Sequence, residues 1–365
     1  MSAQTLLPAL AITFVVTVSV MLAMHPLALR IGLVDQPGGR KRHKGAIPVV
    51  GGIAMFAGMV VGESLIGPPE MGFISALVAG LMLIAVGAID DSISLPPVTR
   101  VVTQIAVILI MIFGAGHQLE NIGAPFGTGI IPLGSFSVAF TVVVALTMIN
   151  AYNLVDGLDG LSGSMAIIAL LCVAAVSGVD SVFGPAAMVG VAAIVGFLVF
   201  NFPTSWNRPV RSFMGDAGST LLGFMVVWVT LGISQGPEPV ISPVHCLWFA
   251  AIPIFDCLSC FVCRSLKKKS PFTPGRDHFH HSLRRGAFGV RATVLILGGF
   301  QLVYATTGLI GHFVGVPDVV MFTVWSILGL SQRWTIRRIA RAHRGYRMSL
   351  ARTSYLAQQN ETART

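Results

Sequence analysis

F-T-V-V-V-A-L-T-M-I (residues 140–149), N-A-Y-N-L-V-D-G-L-D-G-L (150–161) and M-A-I-I-A-L-L-C-V-A-A-V (165–176) form the stretch on which the fold turns. Two strongly apolar runs enclose a short segment that carries two carboxylates and two glycines. Roughly 20 apolar residues are needed to cross a ~30 Å hydrocarbon layer as a helix. Comparable runs begin near residues 5, 49, 72, 99, 136, 163, 184, 218, 244, 290 and 317. The expected fold class is therefore all-α: a polytopic integral membrane protein with about eleven transmembrane helices. Composition points the same way. With 54% hydrophobic and 11% charged residues, and a mean hydropathy of +0.80, the chain carries less than half the ~25% charge of a soluble domain. The first run lacks a basic n-region and a small-residue cleavage site, so it is expected to stay as a span.

If the spans alternate, six segments share one side. They are Arg30 to Lys44, Arg100, the Asn153 stretch, Arg208 with Arg211, Arg264 to Arg291, and the tail from Arg333. Together they hold all 24 Lys and Arg residues, which makes that side cytoplasmic. An odd number of spans then places the N-terminus outside and the C-terminus inside. The expected organisation is a membrane-embedded domain over 1–332 and a basic cytoplasmic tail over 333–365. The tail sequence R-R-I-A-R-A-H-R-G-Y-R reads as an anchor to anionic membrane lipid. No internal repeat is visible, which weighs against inverted-repeat transporters.

Glu63, Glu70, Glu120, Asp180, Glu238 and Asp318 fall at or near outer loops. Asp90, Asp91, Asn153, Asp156, Asp159 and Asp216 instead sit at the cytoplasmic mouths of four apolar runs. Carboxylates there are costly and usually functional. Asp90 and Asp91 end the third span, where a helix dipole prefers cations, so something positive is expected beside them. Asp156 and Asp159 have the spacing of a capping box for the sixth span, but that use needs neither glycine. Gly157 and Gly160 are expected to let a backbone, nucleotide or metal approach closely. In F-M-G-D-A-G-S-T (213–220), Asp216 opens the eighth span between glycines and reads as a ligand for a hard cation holding phosphate. The basic counterpart is K-K-K-S-P-F-T-P-G-R-D-H-F-H-H (267–281), with R-K-R-H-K (40–44) as a second basic stretch; both suit phosphate. Cys257, Cys260 and Cys263 read as small apolar residues on a helix, since no partner cysteines lie elsewhere.

D-D at 90–91, the segment from Asn150 to Leu161, F-M-G-D-A-G-S-T from Phe213 and H-F-H-H from His278 resemble the polyprenyl-phosphate N-acetylhexosamine-1-phosphate transferases, in order, from Val34 to about Arg291. That resemblance implies transfer of GlcNAc-1-phosphate from UDP-GlcNAc to undecaprenyl phosphate, with release of UMP, at the cytoplasmic face of the bacterial inner membrane. It implies Mg2+ as cofactor, with Mn2+ as the alternative. Asp216 and Asn153 are the implied metal ligands. Asp90, Asp91 and Asp216 are the implied catalytic residues, Asp90 and Asp91 matching aspartates that orient or deprotonate the lipid phosphate. Asn150, Asp156 and Asp159 would face the nucleotide, and Arg276, His278, His280 and His281 the sugar phosphates. His43, Lys44 and Arg100 are further phosphate contacts. Where many relatives carry a third acid and a lysine after the D-D pair, this chain has Ser94, Pro96, Pro97 and Arg100, and Gly275 stands where an acid often precedes Arg276. The expected partners are the two substrates and membrane lipid, with no nucleic acid, and self-association is left open. Alternatives are another UDP-sugar (GalNAc, a diamino-sugar or MurNAc-pentapeptide) or an ion-coupled transporter, for which Asp256 is the one acid near the midplane.

Overall fold

The computed structural model describes residues 3–36, 45–67, 71–204, 211–268, 275 and 277–362. Its helices, in chain order, are α1 (Ala3–Ile31), α2 (Gly51–Ile66), α3 (Met71–Ile93), α4 (Pro97–Ala115), α5 (Ser137–Val155), α6 (Leu161–Ser177) and α7 (Phe183–Asn201). They continue with α8 (Gly215–Ser234), the short α9 (Pro243–Cys246), α10 (Ala251–Leu266), α11 (Phe279–Arg285), α12 (Val290–Val314) and α13 (Asp318–Thr362). Among the described residues, 8 stretches are helical, long and apolar enough to cross a membrane: those in α1, α3, α4, α5, α7, α8, α9 with α10, and α12. The other three apolar runs of the sequence fall in α2 and α6, of 16 and 17 residues, and in the opening turns of α13.

The apolar runs become helices because a backbone in hydrocarbon must satisfy its own N–H and C=O groups. Their association rests on close packing rather than on escape from water. The central element is α8, with 89% of its apolar window buried; it touches α2, α3, α5, α6, α7 and α9. Small residues bring its neighbours to backbone contact. A methyl added to Gly52 of α2 would lie 2.4 Å from the Gly218 nitrogen, and one added to Gly87 of α3 would lie 2.3 Å from Cα of Ala217. Both contacts are at the first turns of α8, so they set the distance between that helix end and the end of α3.

A two-stranded antiparallel clip, β1 (Val34–Asp35) with β2 (Ile47–Pro48), pairs Val34 with Pro48 and Asp35 with Ile47. It is stitched to the entry of α8: Phe213 N–H donates to Pro48 O (2.9 Å) and Gly51 N–H to Phe213 O (3.0 Å). At the other end of the bundle, Asp318 Oδ2 accepts from Ala124 N–H (2.8 Å) and Ser242 Oγ (2.7 Å), which fixes the start of α13. That helix runs through residue 333 without a break. Beyond it, Ile336 and Ala340 are buried, His343 Nδ1 lies 2.7 Å from Gly286 O, and its ring stacks on Phe288. The first turns after residue 332 thus pack on α11 and the turn that follows it.

Candidate active site

The ends of α3, α5 and α8 meet at a cavity of about 1230 Å³. Asp90, Asp91, Asn153, Asp156, Asp159 and Asp216 all line it, together with Arg100, Arg211, His281, Arg284 and Arg285. Six positions between Asp90 and Asp216 are brought to one cavity because the ends of three helices meet there.

The acid pair at the end of α3 finds two different positive partners. Asp90, 7% exposed, accepts from Leu95 N–H at Oδ1 (2.6 Å) and from Arg100 Nη1 at Oδ2 (3.2 Å). Asp91 Oδ1 accepts the backbone N–H of Asp216 (3.0 Å), so this carboxylate from α3 caps the N-terminus of α8, where the helix dipole favours an anion. Gly215 at φ 70° allows the approach: a methyl there would sit 2.2 Å from Asp91 Oδ2. That oxygen is buried and has no hydrogen-bond partner among the described residues. Arg100 Nη1 also reaches Asp216 Oδ2 (3.0 Å), while Asn153 Nδ2 donates to Asp216 Oδ1 (2.8 Å) and Ser219 Oγ (2.9 Å). Arg100, expected as a phosphate contact, here bridges two of the acids while still lining the cavity.

The segment 153–160 departs from the capping-box expectation. Asp156 is the C-cap of α5, and Gly160, at φ 78°, is the N-cap of α6 with no side-chain cap bond. Neither carboxylate is spent on the sixth helix. Asp156 sits deep among like charges: burial, then Asp216, Asp159 and Asp91, hold its carboxyl well above the ordinary carboxylate range. Asp159 is ion-paired with Arg211, whose guanidinium lies 5.2 Å from the Phe213 ring centre. Protein groups approach both glycines closely, while Gly157 also lines the cavity. A methyl on Gly157 would come 2.4 Å from His280 Nε2, and one on Gly160 2.8 Å from the Phe202 ring. The loop is pinned from behind by Asn201, which accepts from Gly160 N–H (2.7 Å) and donates to Ser212 O (2.9 Å).

The H-F-H-H stretch divides. His281 lines the cavity, whereas His278 and His280 are 5% and 3% exposed and stand behind it with parallel rings 5.7 Å apart. Burial alone would lower the His278 pKa, but the hydrogen bond with Asp256, aided by Cys260, raises it to about 10. His280 has no such partner; burial, then His281 and His278, push it well below the ordinary value. Asn150 is not brought to the cavity wall: its Nδ2 donates to Gln104 Oε1 and Leu146 O, each at 2.8 Å. His43, Lys44 and Arg276 lie outside the described residues. Asp35, Asn201, Arg211, Arg284 and Arg285 also line the cavity and were missed in the sequence. For the last two a signal existed, since positions three and four beyond His281 share its face of a helix.

The match to known proteins covers the same segments. The family model described as glycosyl transferase family 4 matches residues 73–234. Over nearly its whole length the chain is similar to curated proteins named undecaprenyl-phosphate alpha-N-acetylglucosaminyl 1-phosphate transferase. The one from Yersinia pestis is 32% identical over 347 residues, 94% of this chain and 95% of the relative. That from Salmonella typhi is 34% identical over 345 residues, 93% of each. That from Escherichia coli strain K12 is 33% identical over 331 residues, 89% of each. With an acid-lined cavity built from the matched segments and this identity across both full lengths, the chain belongs to the glycosyl transferase 4 family, alongside the undecaprenyl-phosphate alpha-N-acetylglucosaminyl 1-phosphate transferases.

Proposed function

We propose that the protein transfers GlcNAc-1-phosphate from UDP-GlcNAc to undecaprenyl phosphate, giving undecaprenyl-pyrophosphoryl-GlcNAc and UMP. The observation that carries this reading is one cavity lined both by Asp90, Asp91, Asp156, Asp159 and Asp216 and by Arg100, Arg211, His281, Arg284 and Arg285, a charge pattern suited to a pyrophosphate with its counter-ion. The reading takes all eleven apolar runs as spans, with the N-terminus outside, the C-terminus inside, and the cavity on the cytoplasmic face of the bacterial inner membrane.

A hard divalent cation, Mg2+ with Mn2+ as the alternative, fits the donors. Asp216 and Asp91 offer carboxylate oxygens with Asn153 beside them, and Asp91 Oδ2 is buried without a partner among the described residues, which is costly unless an ion satisfies it. Bound there, the ion supplies charge neutralisation for the pyrophosphate and the departing UMP. The chain's own residues do the rest. A phosphate monoester is largely ionised at neutral pH, so the acceptor needs no strong base. Asp90, already occupied by Leu95 N–H and Arg100, orients the site instead of taking a proton. One oxygen of the lipid phosphate bonds to the sugar-linked phosphorus, the bond from that phosphorus to UMP breaks, and UMP leaves with the electron pair. Arg211, Arg284 and Arg285 hold phosphate oxygens as charge shifts toward the leaving group.

The test is purified protein with undecaprenyl phosphate and a panel of labelled UDP-sugars. The expected result is Mg2+-dependent UMP release with UDP-GlcNAc and label in a solvent-extractable lipid. Preference for UDP-GalNAc or UDP-MurNAc-pentapeptide would replace the sugar assignment, and uptake into sealed vesicles without lipid labelling would overturn the reaction.

A further inference from the structure

Asp256 is an acid in α10, 1% exposed, that the reaction does not use directly. Both its oxygens are committed to the first turn of α11. Oδ1 accepts the Phe279 N–H (2.8 Å) and Oδ2 lies 3.0 Å from His278 Nδ1. The first bond caps the helix in place of a local side chain, for His278 at the N-cap position makes no cap bond of its own. The second fixes the tilt of the His278 ring. That ring lies parallel to His280, and His280 in turn fills the space left by the missing side chain of Gly157. A continuous stack therefore leads from Asp256 to the 153–160 loop, and α11 carries His281, Arg284 and Arg285 on the cavity side of that stack.

A metal ion is the competing use of this cluster, since donor atoms of Asp256, Cys260 and His278 lie within 4.8 Å of one another. The surroundings oppose it. All three residues are buried and bonded to one another, Cys260 Sγ lying 3.4 Å from His278 Nδ1 and 4.0 Å from Asp256 Oδ1, and none of them lines the cavity as Asp216 does.

We infer that Asp256 is a positioning residue for the transfer reaction: it seats His278 and the N-terminus of α11, and thereby sets where His281, Arg284 and Arg285 stand along the acid-lined cavity. The inference rests on the proposed reaction for its kinetic readout only. Asp256→Asn keeps size and shape but presents an amide N–H₂ or a neutral oxygen to His278. It is expected to raise the Kd for UMP, read by equilibrium dialysis with labelled UMP, about tenfold. The KM for UDP-GlcNAc should rise by a similar factor, with kcat changed less than KM. Asp256→Glu should recover part of the loss. Because the effect passes through His278, adding Asp256→Asn to His278→Gln should change the UMP Kd by less than about twofold. Unaltered UMP affinity and KM in Asp256→Asn, or full additivity in the double variant, would overturn the inference. If Asp256→Asn does not fold, His278→Gln must by itself weaken UMP binding, and wild-type affinity in that variant overturns it equally. A wild-type protein that binds UMP but transfers no sugar phosphate defeats the proposed reaction and leaves the dialysis test of Asp256 intact.

Discussion

The helices α3 and α8 line two cavities, one at each end of α3, and the two could hardly differ more. Where α3 finishes, Asp90 and Asp91 line the larger cavity together with Asp216, Arg100, Arg211, Arg284 and Arg285. Where α3 begins, Gly72, Phe73 and Leu77 border a second cavity of about 580 Å³, walled by Phe183, Phe224 and Trp228. Each end carries a shielded histidine, and the pair isolates the effect of a partner. His117 lies against the rings of Trp228 and Phe183 at 4.7 and 5.3 Å, its Nδ1 unsatisfied, and burial lowers its pKa to about 4. His278, only 5% exposed, is shielded more completely, yet Asp256 raises it to about 10. Desolvation alone sets the direction for His117, whereas the carboxylate of Asp256 outweighs it for His278. The first cavity answers its acids with arginines, whereas the second sets Glu63 and Asp180 among aromatic and aliphatic side chains.

The sharpest way to break that contrast is to remove charge from the polar end. Asp216→Asn should lower UMP release by about 10² to 10³ at saturating Mg2+; unreduced turnover in the purified variant would show that this carboxylate holds no cation. His117→Leu, at the other end, should leave turnover within about twofold of wild type, because apolar replacement of an unpartnered group is tolerated best.

Next in size is the contact behind the acids. Gly157→Ala puts a methyl 2.4 Å from His280 Nε2 and should cost about 1–3 kcal/mol of stability by overpacking, with turnover falling in step. A second change, His280→Ala, should return most of the stability. If the double variant is no more stable than the single, the glycine is not there to make room for His280.

The smallest effects are in pH dependence, and their signs are opposite. His278 has a folded pKa raised from the ordinary 6.5 to about 10, so its contribution is full below pH 6.5 and disappears as pH rises through 10. The gap in thermal midpoint between wild type and His278→Gln, a few degrees at most, should therefore close over that range. His117 has a folded pKa lowered from 6.5 to about 4, so the folded state loses stability as pH falls from 6.5 toward 4. His117→Leu should gain on wild type over that lower window. Parallel pH trends for the two variants would mean that Asp256 does not hold the charge on His278.

The apolar runs dictated helices wherever the chain could not otherwise satisfy its backbone, and each of the eleven runs is at least partly helical. The shared mouth of Asp90, Asp91, Asn153, Asp156, Asp159 and Asp216 was likewise legible, because helix ends separated by whole spans return to the same face. Sequence also exposed the anomaly of two carboxylates beside two glycines in N-L-V-D-G-L-D-G, but not its resolution. The capping-box spacing there was misleading: Gly160 adopts a left-handed conformation, so the sixth helix begins one residue beyond it. Which positive group answers each acid depended on contacts spanning many residues. Asp91 caps a helix that starts 124 residues later, and Asp256 reaches a histidine 22 residues on. Such pairings leave no periodicity in a single chain. A hydrophobic pattern reports each helix against the membrane, one at a time, whereas charge compensation between helix ends exists only once the helices have packed.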